Sequence, residues 1–176
     1  QIKYNVPAAI TMAQGLLESS AGTSELATTA NNHFGIKCTS DWQGRTVTKD
    51  DDKAGECFRC YANINDSYED HSLFLLRPRY KSLFALPLGD YKAWAHGLKA
   101  CGYATDPSYP EKLIRLIELY DLQALTFDKN LLAGGFVSEG DTTWSEHQSD
   151  IIAHAAQGGI RDYVYPPMED LELYND

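Results

Sequence analysis

Glu18 stands where a carboxylate can do chemistry. It closes the stretch Gln14-Gly15-Leu16-Leu17-Glu18, and Ser19-Ser20-Ala21-Gly22 follows it. Ile10, Ala13 and Leu17 recur at helical spacing upstream. Pro7 suits a first helical turn, and Gly22 suits the left-handed stop of a helix C-terminus. This spacing sets Glu18 in the last turn of an apolar helix. The negative end of the helix dipole and partial burial both disfavour its charge, so both raise its pKa. A general acid working near neutral pH needs that shift. The plain alternative is a solvated glutamate near a helix end, and the helix by itself favours it. His33, His71, His96, His147 and His154 form no His-Glu-x-x-His pattern, so no catalytic metal and no cofactor are expected.

Two further stretches change the weight of Glu18. Asn31-Asn32-His33-Phe34-Gly35-Ile36-Lys37 follows soon after it, and Gly102-Tyr103-Ala104-Thr105-Asp106-Pro107-Ser108-Tyr109 comes much later. With the Leu-Glu-Ser stretch they resemble the glucosaminidase family of bacterial peptidoglycan hydrolases, which includes autolysin glucosaminidase domains and the muramidase-like domain of flagellar rod-assembly proteins. The resemblance runs from about Tyr4 to Leu122, three separated motifs in one order. It implies an α+β, mainly α fold: a lysozyme-like helical domain with a small antiparallel β-lobe. It also implies a glycan substrate and Glu18 as the catalytic acid.

Glycoside hydrolysis needs an acid on the leaving oxygen and, in most enzymes, a second carboxylate that acts as nucleophile or activates water. Similarity to relatives around Val47-Thr48 and Phe58-Arg59-x-Tyr61 implies that this second group lies in the run Asp50-Asp51-Asp52, at Asp51. Relatives often carry Glu there, so the shorter Asp is a departure. A solvated acidic hairpin tip is the competing reading of each member of the run, and Glu56 and Glu69 are outside candidates. Carboxyl groups about 5 Å apart would mean retention, and roughly 6.5–9.5 Å inversion. Tyr103 matches the family's catalytically important tyrosine, whose hydroxyl would orient water or steady an oxocarbenium-like charge. A core tyrosine is the alternative. Asn32 and Phe34 resemble residues of the family's cleft floor. Tyr80 and Tyr109 offer flat rings suited to pyranose faces, against simple packing as the rival. Asp106 joins the binding set, although Thr105-Asp106 reads first as a pair that orders its loop.

The four cysteines are Cys38, Cys57, Cys60 and Cys101. Cys38 ends one expected strand and Cys57 opens another. A bridge between them would stabilise by roughly 3 kcal/mol in the chain-entropy model. Cysteines at these two positions also resemble those of some family members. The rivals are a zinc site built on Cys57-x-x-Cys60 and a redox Cys-x-x-Cys. The spacing makes a poor zinc ribbon, and a redox pair wants a helix N-terminus after a strand. Cys60 and Cys101 either pair or stay as buried thiols.

The elements that must position these residues read as follows. Residues 5–21 form the first helix, and Ser24 caps a short second one. Phe34–Cys38, Thr46–Thr48 and Glu56–Tyr61 read as strands, so residues 33–61 form a small antiparallel sheet among helices. Asp66-x-x-Glu69 reads as a capping box for a helix through Leu76. Pro78 starts a short helix through Phe84, Asp90 caps one to Cys101, and Pro110 opens Glu111–Leu122. Residues 1–125 thus form the catalytic domain. Residues 126–176 form a C-terminal extension packed back on it: a loop over 126–144, a capped helix to Gln157, an aromatic strap through Tyr163 and Tyr165, and an acidic tail.

Length and composition agree with one globular domain. The chain has 176 residues, 43% apolar and 23% charged. No run approaches the roughly 18 apolar residues of a membrane span. The net charge of −10 argues against nucleic acid, whose binding needs clustered Lys and Arg. It also gives no long-range attraction to an anionic wall polymer, so binding is expected to rest on local aromatic and hydrogen-bond contacts. No leader is visible and the chain reads as trimmed, with Gln1 opening inside the approach to the first helix, so compartment does not follow from it. The resemblance implies a periplasmic or secreted enzyme, a monomer, with peptidoglycan glycan strands as its partner. Its expected activity is that of an endo-β-N-acetylglucosaminidase. A muramidase or lytic transglycosylase on the same fold is the near alternative, and a non-catalytic peptidoglycan-binding module the distant one.

Overall fold

Helix α1 (Ala8–Glu18) is buried along almost its whole length, from Ala8 to Leu16. The computed structural model of the chain describes residues 1–51 and 53–128. The small side chains of α1 make that central position feasible. At Gly15 a Cβ would stand 2.5 Å from the Tyr68 hydroxyl, so glycine is what lets the neighbour this close. Pro7 sits at the N-cap rather than inside the first turn. The open N-terminal amides are met from elsewhere: Ala8 N–H donates to Gln1 Oε1 at 2.9 Å and Ala9 N–H to Thr126 Oγ1 at 3.1 Å.

The helix stops before the glycine expected to end it. Ser20 and Ala21 already take left-handed φ values of 50° and 56°, ahead of Gly22 at 81°. Ser19 holds this turn with its hydroxyl, donating to Gly15 O at 2.6 Å and accepting from Gly22 N–H at 2.7 Å. Glu18 is therefore the last helical residue.

Around α1 lie α2 (Glu25–Ala30), α3 (Ile64–Leu75), a 3₁₀ helix (Pro78–Ala85), α4 (Tyr91–Ala100), α5 (Tyr109–Leu119) and α6 (Gln123–Phe127). α1 packs on α4, α5 and α6. Leu98, Leu113 and Ile117 are essentially inaccessible in this core, and each contributes roughly 1.5–3 kcal/mol by leaving water. Ser24 and Asp90 cap α2 and α4 as their types suggest, accepting from Ala27 and Ala93 N–H. The cap of α3 is Asn63, three residues before the expected Asp66. Its side chain accepts from Asp66 N–H at 3.0 Å, so Asp66 lies within the first turn. α5 ends at Leu119, because Asp121 turns left-handed at φ 50°. α6 then crosses the boundary expected at residue 125, and Thr126 is buried against α1. From residue 129 on, the expected loop, capped helix, aromatic strap and acidic tail lie outside the described residues.

The β-lobe is a two-stranded antiparallel sheet of β1 (Arg45–Lys49) and β2 (Glu56–Cys60), with Val47 opposite Phe58. The segment Phe34–Cys38, expected as a strand, contributes only a bridge from Lys37 to Phe58. Gly35 has φ +60°, and the Asn32 side chain takes both the N–H and the C=O of Ile36. Two backbone bonds still tie the segment to β2, Arg59 N–H to Ile36 O at 3.0 Å and Cys38 N–H to Cys57 O at 2.8 Å, but the left-handed Gly35 breaks the extended run before them. Cys38 and Cys57 form a disulfide that ties this segment to β2, with Cα atoms 5.4 Å apart. It takes two cysteines out of any zinc or redox set, and Cys60 and Cys101 remain as separate, half-buried thiols. Among the described residues no helix is long and apolar enough to cross a membrane.

Candidate active site

A cleft of about 640 Å³ is lined by Glu18 at the end of α1 and by Asp51 in the turn of the β-lobe. Glu18 reaches it because α1 ends there. Burial pushes its carboxyl up to about 7, while a hydrogen bond from Tyr109 and the ammonium of Lys112 pull the other way. Tyr109 donates to Glu18 Oε1 at 3.0 Å. The carboxyl is thus poised to hold a proton near neutrality and to give it up, as a general acid must.

Tyr109 comes from the start of α5 and Tyr103 from the loop before it. Their rings stack at 5.8 Å and 24°. Tyr103 also lines the cleft, its phenol raised well above 10 by burial and by the Glu18 carboxylate. It stays a neutral hydroxyl beside the acid. The loop carrying it is braced by Lys99, which donates to Ala104 O at 3.1 Å and Thr105 O at 2.5 Å. Asp106 serves the same loop. It accepts from Ser108 N–H at 2.8 Å and pairs with Lys112 at 2.8 Å, although it also borders the cleft.

Of the acidic run, Asp50 accepts from Gly55 N–H at 2.7 Å and holds the hairpin turn. Asp51 instead faces the cleft and pairs with Lys37 at 3.1 Å. Asp52 lies outside the described residues. Glu56 pairs with Lys37 at 2.9 Å, and Glu69 is engaged by Lys3 and Tyr4; neither borders the cleft. Among the described residues, Asp51 and Asp106 border the cleft with Glu18, and Asp106 is taken up by its own loop and by Lys112.

The remaining expected residues divide. Phe34 lines the cleft floor, stacked on His71 at 3.9 Å and 15°. Asn32 sits behind it, buried, its amide spent on Ile36 and on Arg59 O, and it acts as a brace for the β-lobe. Tyr80 is 1% exposed and packed against Phe74 and Tyr103, so no sugar can lie on its ring.

Sequence reasoning missed two groups. Lys37, Arg77 and Lys112 place three cations on the cleft of an acidic chain, and Arg77 lies 4.6 Å over the Phe74 ring. Lys37 is paired with Asp51 and Glu56, and Lys112 with Asp106. Gln14 and His71 form a buried polar line behind Tyr109. A glutamine on an otherwise apolar helix face was the available signal for it.

Residues 1–122 match the family model Glucosaminidase, described as mannosyl-glycoprotein endo-beta-N-acetylglucosaminidase. Exo-glucosaminidase LytG of Bacillus subtilis is 39% identical over 134 residues, covering 68% of this chain and 46% of that protein. Peptidoglycan hydrolase FlgJ of Vibrio parahaemolyticus is 33% identical over 123 residues, covering 63% of this chain and 40% of that protein. The chain spans less than half the length of these two curated relatives. Among solved structures, a peptidoglycan hydrolase from Sphingomonas sp. A1 aligns with a TM-score of 0.59 at 32% identity, covering 77% of this chain and 86% of that chain. The helical body with its small antiparallel lobe is the lysozyme-like, mainly α architecture that the motifs led one to expect.

Proposed function

The chain belongs to the glucosaminidase family, and from that premise we propose that it hydrolyses peptidoglycan as an endo-β-N-acetylglucosaminidase, cutting after N-acetylglucosamine in the glycan strand. The observation that carries the reading is the pairing of a buried, proton-holding Glu18 with Asp51 in one cleft. Glu18 gives its proton to the glycosidic oxygen as the anomeric C–O bond breaks. Asp51 takes a proton from water, whose oxygen bonds to the anomeric carbon. The Tyr103 hydroxyl steadies the positive charge that develops on the ring. Phe34 supplies a flat apolar floor. Lys37, Arg77 and Lys112 border the cleft, and their charges suit the carboxylates of muramic acid and its peptide stems. The enzyme works at the cell envelope, periplasmic or secreted.

One observation favours a lytic transglycosylase as second reading. Asp51 is short and tied to Lys37, while a transglycosylase needs only Glu18, because the sugar's own hydroxyl attacks the anomeric carbon. Digestion of purified peptidoglycan by wild type and Glu18→Gln, with products reduced and weighed, tests both. Reducing N-acetylglucosamine ends, lost in the variant, support the glucosaminidase. Reducing muramic ends would make it a muramidase, and anhydromuramic ends a transglycosylase. Absence of products from the wild type overturns hydrolysis.

A further inference from the structure

Gln14 and His71 are both inaccessible to solvent, and neither borders the cleft. They stand behind Tyr109 in a line of hydrogen bonds. His71 Nε2 and Gln14 Oε1 are 3.0 Å apart, Gln14 Nε2 donates to the Tyr109 hydroxyl at 2.9 Å, and Tyr109 donates to Glu18 Oε1 at 3.0 Å. The amide oxygen of Gln14 only accepts, so His71 meets it with an Nε2–H. Burial holds the His71 ring neutral, with its pKa down at about 3, so it carries that single hydrogen. The Gln14 amide hydrogen then occupies one of the two lone pairs of the Tyr109 oxygen. The hydroxyl hydrogen cannot point back at that donor and is directed to Glu18 instead.

We infer that Gln14 and His71 are positioning residues: the directed line His71, Gln14, Tyr109, Glu18 fixes Tyr109 as a donor to Oε1, and so assigns the acidic proton of Glu18 to Oε2. This deepens the reading of Glu18 as the acid and rests on it. A carboxyl hydrogen has two places to sit. On Oε1 it would point at Tyr109 and be useless to a sugar. On Oε2 it stands on the oxygen left for the scissile bond. Without Gln14, the Tyr109 hydroxyl turns and accepts the hydrogen on Oε1. That bond favours the neutral carboxyl, so the proton is held more tightly and in the wrong place.

The other groups facing Glu18 stay the same throughout. Lys112 lies on α5 and Tyr103 on the loop before it. Asp51 with Lys37, and Arg77, lie along the cleft, and Asp106 is paired with Lys112.

Carbon-13 titration of the Glu18 carboxyl in the full chain reads this directly, in wild type, Gln14→Leu, His71→Phe and Tyr109→Phe. Gln14→Leu is expected to raise the midpoint by about one pH unit. His71→Phe should raise it by less, in the same direction. In a Tyr109→Phe background, Gln14→Leu should add no further shift, because Gln14 acts only through that hydroxyl. On peptidoglycan, kcat should fall about tenfold in Gln14→Leu with KM little changed, the basic limb of the pH profile moving with the midpoint. A folded Gln14→Leu with an unmoved midpoint overturns the inference, as does a shift that persists without the Tyr109 hydroxyl. If Gln14→Leu fails to fold, an unmoved midpoint in His71→Phe overturns it equally. A wild type that cleaves no peptidoglycan refutes the acid's role in hydrolysis but leaves the titration to be read on its own.

Discussion

At the scale of single residues, Glu18 sits between opposing effects. Burial raises its pKa from the usual 4.5 to about 7, against the pull of Tyr109 and Lys112. The folded chain thus binds this proton more tightly than the unfolded one. Stability from this group is fully present below about pH 4.5 and is lost as pH rises through about 7. Glu18→Gln is neutral at every pH and keeps an acceptor for Tyr109. It is expected to abolish cleavage, to melt a few degrees above wild type near pH 8, and to match it near pH 4. Thermal melts across that range check the sign; a variant less stable than wild type near pH 8 would contradict it. Activity should decline as pH rises through about 7, where the acid is lost. The acidic run makes a second test. Asp50 holds the hairpin turn and Asp51 faces the cleft, so Asp51→Asn should cost at least about tenfold in kcat and Asp50→Asn much less. Equal activity in Asp50→Asn, Asp51→Asn and Asp52→Asn, measured by muropeptide release, would reject a single base there.

At the scale of elements, the lobe that carries Asp51 depends on one buried arginine. Arg59 on β2 is 4% exposed. Its Nη1 donates to both oxygens of Asp70 on α3, at 3.0 and 2.9 Å, and its Nη2 to Thr39 Oγ1 at 2.7 Å. Tyr61 adds a hydroxyl to Asp70 at 2.6 Å, and Trp42 lies 4.6 Å from the guanidinium. The pair fastens β2 to the helical body and to the loop from which Lys37 projects. Arg59→Met leaves the half-buried Asp70 without its counter-charge, and about 3 kcal/mol of stability should go with it. Denaturant unfolding measures that loss. A change under about 1 kcal/mol would mean that the lobe is held by the sheet and the disulfide alone.

At the scale of the whole molecule, the cleft exists because two bodies of different construction meet. The helical side is held by apolar burial around α1. The β-lobe has two short strands, little core of its own and a covalent tie, Cys38–Cys57, across 19 residues of sequence. A lobe so small is marginal without such a staple. Reduction, or Cys38→Ser with Cys57→Ser, should cost roughly 2–5 kcal/mol and depress cleavage, since Lys37 and Asp51 lie on the segments it joins. Cys60→Ser should retain both stability and activity to within a small factor. Melting curves with and without reductant, set beside muropeptide release, provide the check.

Composition, caps and periodicity determined much of this protein in advance. The apolar repeat before Glu18, Asp90 and Ser24 as caps, the β-branched run of β1 and the paired cysteines all act through neighbours close in sequence, where the physics is local. The three motifs pointed to the family for the same reason, each being a contiguous stretch. Tertiary structure alone decided what depends on distant partners. Phe34–Cys38 is cut to a single bridge because Gly35 turns left-handed and the Asn32 side chain clamps Ile36 beside it. Tyr80 and Tyr109, read alike in sequence as flat rings for a sugar, are separated by packing: Tyr80 lies in the core, and Tyr109 borders the cleft and bonds Glu18. Glu18 is buried by the fold and accepts a hydrogen bond from Tyr109, 91 positions away, and Gln14 meets His71 across 57. Burial and hydrogen-bond direction are properties of those meetings, and no spacing along the chain records them.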